Sequence, residues 1–468
     1  MRPGARLCAT APTIPDDQPQ TGLAPQETRL NFMPSLAQAR KAALSATRRS
    51  LFKGAAFLFI ASVLAVPSLA PAHDRDDERW IGTWTASPQA PEPPLIAATP
   101  GQFNNQTIRQ VVRTTLGGEK VRVRLSNEYG SAPLSVGAVT IARHAAGAAI
   151  VPGSDKPLTF SGRASFTIPA NAPAVSDPLE FDVPTGGDLV ISIFLPQPTP
   201  ANTFHSLGVA TTYVSTPGNY SSTVVMPTAS STLSWFFLTG VSVQASKRNA
   251  AIVAIGDSIT DGFASTPDAN RRWPNVLAQR LQANRRHDHL AVLNHGISGN
   301  RTLFNFIGPN AQARLDRDVL NAPGAKYVIL MEGINNIGLP GAFGLPNEAV
   351  SADDIIAGHK QIIARAKERG LKIYGGTLTP FEGTTFPGYF TAAGEAKRQA
   401  VNHWIRSSGA FDAVIDFDLA VRDPSHPARI LPAYDCGDHL HPNDAGYKAM
   451  AEFIDLRLFR HGDDGDDD

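Results

Sequence analysis

The chain has 468 residues, 42% hydrophobic and 18% charged, which describes a globular protein of roughly two to three domains and excludes a disordered or fibrous one. Its 42 Lys/Arg balance 42 Asp/Glu, so no broad basic face for nucleic acid is implied. Eight of the basic and three of the acidic residues lie in 1–72; without that segment 34 basic and 39 acidic residues remain, a mildly acidic product.

Residues 1–46 are rich in Ala, Pro, Gln and Arg and show no sustained periodicity. A charged stretch follows, Thr47-Arg-Arg-Ser-Leu-Phe-Lys53, then an apolar run from Gly54 to Val66 and the small-residue pattern Ala70-Pro71-Ala72. This order predicts a secretory signal of twin-arginine type, cleaved near Ala72. The apolar run is shorter than the roughly 20 residues that span a bilayer, so no membrane span is expected in the mature chain. Met33 is an alternative start to Met1, since it would give the signal a normal length. The only cysteines are Cys8 and Cys436; cleavage leaves one, so no internal disulfide is expected. Nothing has zinc-ligand spacing and no cofactor is implied.

Residues 73–245 are rich in Val, Thr, Ser, Gly and Pro. Val121-Arg-Val-Arg-Leu125 alternates as a half-buried strand does, and Leu189 to Ile193 does so more loosely. Further short strands are expected at Ile108–Thr115, Val136–Ile141, Ser165–Ile168 and Leu179–Val183, separated by turns such as Gly117-Gly118 and Pro184-Thr-Gly-Gly187. Many short strands between turns predict an all-β sandwich or jelly roll. From 246 the rhythm becomes strand-helix-strand. Strands are expected at Ala251–Ile255, Leu290–Leu293, Tyr327–Met331, Leu371–Gly375 and Ala413–Phe417. Helices are expected at Trp273–Asn284, Ala311–Leu320, Ser351–Arg369, Thr391–Ser407 and Ala445–Arg460. Such alternation over 246–460 predicts an α/β domain with a parallel sheet covered on both faces. Residues 461–468 read as an acidic, solvated tail.

Ser258 stands where the apolar run Ala251–Ile255 meets Gly256-Asp257, at the carboxyl end of a buried strand, where open α/β sheets place their ligands. Alone, it reads equally well as an activated nucleophile or as a helix cap. Residues 256–260 are Gly-Asp-Ser-Ile-Thr, which is not the G-x-S-x-G elbow of α/β-hydrolases. A base is expected from Asp435-Cys-Gly-Asp438-His439-Leu-His441-Pro-Asn443. Asp438 and His441 are three apart, close enough for one turn to join carboxylate and imidazole; His439 is the competing base. Two more predicted strand ends carry candidate oxyanion donors, the main chain at Gly299 and the amide of Asn335.

Gly256-Asp-Ser-Ile-Thr260, Gly299, Gly333-x-Asn335 and Asp438-x-x-His441 resemble, in order, the four blocks of the SGNH hydrolases, also called GDSL esterases. The likeness covers about residues 250–460. It implies a flavodoxin-like three-layer α/β/α domain with Ser258 as nucleophile, His441 as base and Asp438 orienting it. The oxyanion hole would be formed by the Ser258 and Gly299 N–H groups and the Asn335 side chain. The third block usually reads Gly-x-Asn-Asp; here Asn336 stands in place of the Asp. Trp80 to Pro88 and Thr107 to Arg113 look like the β-rich N-terminal region of secreted two-domain bacterial SGNH esterases, a layout that some carbohydrate acetylesterases share. The expected activity is hydrolysis of carboxylic esters on a small molecule or glycan, with short-chain acyl groups such as acetyl as first choice. Acyl transfer at the same site, or non-catalytic glycan binding, are the alternatives.

Overall fold

The structure is a computed structural model and describes residues 78–91 and 101–460. The expected signal over 1–72 and the tail over 461–468 lie outside the described residues.

Two larger antiparallel sheets occupy the first part. In one, Glu78–Thr85, Leu238–Ser246, Gly118–Ser126 and Pro173–Val175 lie side by side, and Leu179–Val183 also pairs with Gly118–Ser126. In the other, Gln106–Arg113 and Ala138–Ala146 flank Asp188–Leu195, and Thr212–Ser215 extends the sheet on the outer side of Gln106–Arg113. The period-two pattern decides which side chains turn inward. Val121, Val123 and Leu125 of one sheet and Leu189, Ile191 and Ile193 of the other enter one apolar cluster, while Arg122 and Arg124 point away from it. The expected strand Val136–Ile141 is broken at Gly137, with Leu134–Val136 pairing Phe166–Ile168 and Ala138–Ala146 entering the larger sheet. Glu78–Thr85 and Leu238–Ser246 were not among the expected strands.

The second part is built on five parallel strands, Ala250–Gly256, Leu290–Gly296, Ala325–Met331, Lys372–Gly376 and Ala413–Ile415. Their spatial order is second, first, third, fourth, fifth. All seven residues of the first strand are buried. Val253 and Ile255 join the cluster containing Ile355 and Ile362 of helix Ala352–Glu368. Ile252 and Ala254 join the opposite cluster, with Leu277 and Leu281 of helix Trp273–Gln282 and with Tyr447 and Met450 of helix Asp444–Phe453. Each buried branched side chain contributes about 1.5–3 kcal/mol, which is why this strand reads as an unbroken apolar run.

Element ends depart from expectation where a polar side chain caps. The last strand stops at Ile415, because Asp416 accepts the Leu419 N–H and starts a short helix, Phe417–Val421. The expected helix Ala311–Leu320 is α-helical only to Leu315 and widens to a π turn over Asp316–Leu320. The final helix begins at Asp444, capped by Asn443, and ends at Phe453. Helix Ile334–Ala342 was not expected, since Gly338, Pro340 and Gly341 lie inside it and all three disfavour helix.

The antiparallel sheets and the parallel sheet form one compact unit. Gly82 N–H donates to the Pro323 carbonyl at 2.9 Å. The Thr115 hydroxyl donates to the Val292 carbonyl and accepts the Val292 N–H, each at 3.1 Å, which occupies polar groups on the edge strand Leu290–Gly296. Among the described residues no helix is long and apolar enough to cross a membrane.

Candidate active site

The carboxyl ends of the first three parallel strands gather the expected residues. The first strand ends at Gly256, and Asp257 caps helix Ser258–Asp261 by accepting the Ile259 N–H at 3.0 Å. The capping role is therefore taken by Asp257, and the hydroxyl of Ser258 is left for other work. Ser258 Oγ lies 2.8 Å from His441 Nε2, and His441 Nδ1 lies 2.6 Å from Asp438 Oδ2. The second Asp438 oxygen accepts the N–H groups of Leu440 and His441 at 2.9 and 2.8 Å. Burial alone would raise the Asp438 carboxyl, but the adjacent His441 imidazole and these N–H groups outweigh it and hold it well below the usual carboxylate range. Because carboxylate faces Nδ1, the tautomer that presents a bare Nε2 to the Ser258 hydroxyl is favoured. His439 does not compete: it is exposed, at φ +59°, and its Nδ1 pairs with Asp435. The Phe263 ring lies 4.3 Å from the His441 ring and covers the imidazole.

The second and third strands bring Gly299 and Asn335. Gly299 sits at φ +79°, a conformation that glycine adopts without strain. Asn335 Nδ2 donates to the Asn300 carbonyl at 2.9 Å, and the Tyr389 hydroxyl donates to Asn335 Oδ1 at 2.7 Å, so the amide orientation is fixed from both ends. Asn336 Oδ1 accepts the Thr302 N–H at 2.7 Å, while its Nδ2 has no partner. Ser258, Asp438, His441 and Asn335 are all buried. The structure joins Ser258, His441 and Asp438 by hydrogen bonds and places Gly299 and Asn335 just after the neighbouring parallel strands Leu290–Gly296 and Ala325–Met331.

Several residues around the site carry no local sequence signal. Arg314 is 1% exposed; it donates to the Gly256 carbonyl at 3.0 Å, the His295 carbonyl at 2.5 Å and Asn300 Oδ1 at 3.0 Å, tying two strand ends to the turn beside Asn335. Glu332 is fully buried, 3.7 Å from Arg314, with neither oxygen hydrogen-bonded. Burial, with the nearby Asp257 charge, pushes its carboxyl well above the ordinary range, and burial pushes Asp257 up to about 6. Phe343 and Phe386 are exposed, and Phe386 lies 6.3 Å from the His441 ring. Phe304 and Phe306 are half-buried against the Arg301 guanidinium. Among the described residues, Asp435, Cys436 and Asp438 have metal-like spacing, but the carboxylates are engaged by His439 and His441. Burial and the Asp438 charge push the Cys436 thiol up to about 12, which leaves it neutral.

Residues 254–449 match the GDSL-like Lipase/Acylhydrolase family. That match makes 254–449 a GDSL-like acylhydrolase domain and supports a carboxylic ester hydrolase. Three solved structures are similar to it. One is a putative lipolytic protein of the G-D-S-L family from Desulfitobacterium hafniense DCB-2, at 22% identity over 44% of this chain and 97% of that one, with a TM-score of 0.33. Another is the native aryl esterase of M. smegmatis, at 19% identity over 43% and 95%, TM-score 0.35. The third is a catalytic mutant of the acetylxylan esterase Axe2 from Geobacillus stearothermophilus, at 23% identity over 44% and 91%, TM-score 0.34. No curated protein matches the chain.

Proposed function

We propose that the protein is an exported serine esterase that hydrolyses short-chain acyl esters through an acyl-enzyme on Ser258. The observation that carries this reading is the unbroken line of hydrogen bonds from Ser258 Oγ to His441 Nε2 and from His441 Nδ1 to Asp438, at 2.8 and 2.6 Å. His441 takes the hydroxyl proton as Ser258 Oγ attacks the ester carbonyl; the imidazolium is stabilised by Asp438 and returns the proton to the leaving alcohol. Water, deprotonated by the same imidazole, then releases the acid. The Ser258 and Gly299 N–H groups and the second Asn335 amide N–H receive the developing oxyanion. Asn335 keeps that hydrogen free because its other one is held by Asn300.

Burial at the nucleophile bears on the size of the acyl group. Ser258 is 7% and His441 4% exposed, so the nucleophile is recessed and admits a small acyl group more readily than a long one. Acetyl is our choice, on a carbohydrate alcohol. Ser258→Ala should lower kcat on p-nitrophenyl acetate by about 10⁴-fold or more while leaving the circular dichroism spectrum unchanged; retained activity refutes the assignment. A series of acyl lengths, and acetylated glycans run against the same variant, decides the substrate class. Export is inferred from Arg48-Arg49; replacing both with Lys should leave the precursor inside the cell, as fractionation would report.

A further inference from the structure

The antiparallel part sends two buried side chains, Ser87 and His205, behind the candidate oxyanion donors. His205 is 3% exposed. Its Nδ1 lies 2.9 Å from the Ser87 carbonyl and its Nε2 lies 2.9 Å from Asp261 Oδ1. A carbonyl only accepts, and a carboxylate only accepts, so both ring nitrogens carry hydrogen and His205 is an imidazolium. Its anion, Asp261, is the last residue of the helix that begins with Ser258. The other Asp261 oxygen accepts both the N–H and the hydroxyl of Ser298, at 3.0 and 2.8 Å. Ser298 directly precedes Gly299.

We propose that His205 is a positioning residue for ester hydrolysis: through Asp261 it fixes the Ser298–Gly299 turn and cancels the negative charge that Asp261 would otherwise present to the forming oxyanion. The proposal rests on the reading of Ser258 as nucleophile and Gly299 N–H as oxyanion donor.

Three features support this placement. The backbone leaves no slack, since a Cβ added at Gly296 would fall 2.2 Å from the Asp261 nitrogen; helix and strand end are in main-chain contact. Ser298 is held by two bonds to one carboxylate oxygen, from its main-chain N–H and its hydroxyl, so a shift of Asp261 moves the residue that carries the Gly299 peptide. A buried carboxylate beside a site where negative charge develops opposes the reaction unless it is neutralised. Arg272 is the other cation facing this pair; it is committed to the Gly208 carbonyl and to the Trp235 ring. Ser87 completes the arrangement. Its hydroxyl accepts from Arg314 at 3.2 Å and faces His295 Nδ1 at 2.9 Å, which links the stretch just after strand Glu78–Thr85 to the Arg314–Asn300–Asn335 line.

His205→Gln keeps one donor and removes the positive charge. Its kcat on p-nitrophenyl acetate should fall about 10–100-fold, in line with a misplaced or opposed oxyanion donor, while KM stays within about twofold. The rate at which an alkyl fluorophosphonate labels Ser258, a step that fills the same hole, should fall in parallel when expressed per folded molecule. Ser298→Ala, which removes only a hydroxyl, should give a smaller loss of the same kind. The double variant should be no worse than His205→Gln, because both act through Asp261. Unchanged kcat and labelling in folded His205→Gln, or losses that multiply in the double variant, overturn the proposal. Should His205→Gln fail to fold, an unchanged kcat in Ser298→Ala does so. A wild type that the fluorophosphonate does not label defeats the underlying reading of Ser258, and is told apart from failure of the proposal by that control.

Discussion

Tyr389 shows how a single hydroxyl sets the chemistry of a neighbouring amide. Burial pushes its hydroxyl well above the ordinary range, with the Asp257 and Asp438 carboxylates adding to the effect, so it remains a donor to Asn335 Oδ1 at any working pH. Tyr389→Phe leaves that oxygen without a donor and lets the amide turn. The loss of one such bond, about 1–1.5 kcal/mol, should cost roughly tenfold in kcat and little in KM, as steady-state kinetics would report; an unchanged kcat means that the Asn300 carbonyl alone orients the amide. Asn336 makes the complementary point. Its departure from the usual Asp is visible in the sequence, but its use is not. Only the fold brings the Thr302 N–H onto Asn336 Oδ1, a bond that either residue type would accept.

At the scale of elements, the third parallel strand is followed by an acid, Glu332, whose burial favours its protonated form. A carboxyl whose folded pKa is raised stabilises the fold below its unfolded pKa of about 4.3, and that contribution is lost as pH rises through the folded value. Glu332→Gln keeps the shape and removes the titration. The variant should match wild type in thermal midpoint near pH 4–5 and exceed it near pH 8, by about 1–2 °C if the buried group costs about 1–2 kcal/mol. A wild type that gains stability relative to the variant as pH rises contradicts the assignment.

The parallel strands are legible in the sequence because burial on both faces leaves runs such as Ala251–Ile255, and Ser258, Gly299, Asn335, Asp438 and His441 are legible because each follows such an element or lies in one short loop. Helix Ile334–Ala342 is hidden by its own glycines and proline. Its backbone is held by the apolar contacts of Ile334 and Leu339 with Phe381 and Tyr389, a tertiary gain that local propensity does not record. His205, Ser87 and Arg314 are hidden for another reason. Their partners lie far along the chain, His205 being 56 residues from Asp261 and Ser87 227 from Arg314, and a lone polar residue in a strand or loop gives no sign of what it will meet.

For the whole molecule, the antiparallel part covers an edge of the catalytic sheet as well as supplying His205. A fragment beginning at residue 247 would expose the edge strand Leu290–Gly296, including the Val292 groups that Thr115 engages, and would open the apolar cluster shared by both parts. Expressed alone, 247–460 should bind a hydrophobic dye, melt without a cooperative transition and hydrolyse no p-nitrophenyl acetate. A fragment that melts sharply and retains wild-type kcat shows instead that the catalytic fold stands by itself.

The pairing of Glu78–Thr85 with Leu238–Ser246 also sets a timetable. During synthesis the first strand leaves the ribosome long before its partner exists; at about 5–20 residues per second the wait is on the order of 10–30 seconds. Its second anchor, Pro323, arrives later still. For that interval an apolar strand with open hydrogen-bonding edges is free to pair wrongly. The nascent chain therefore has to be shielded until its middle is made, and the first of the described strands is among the last to find its place.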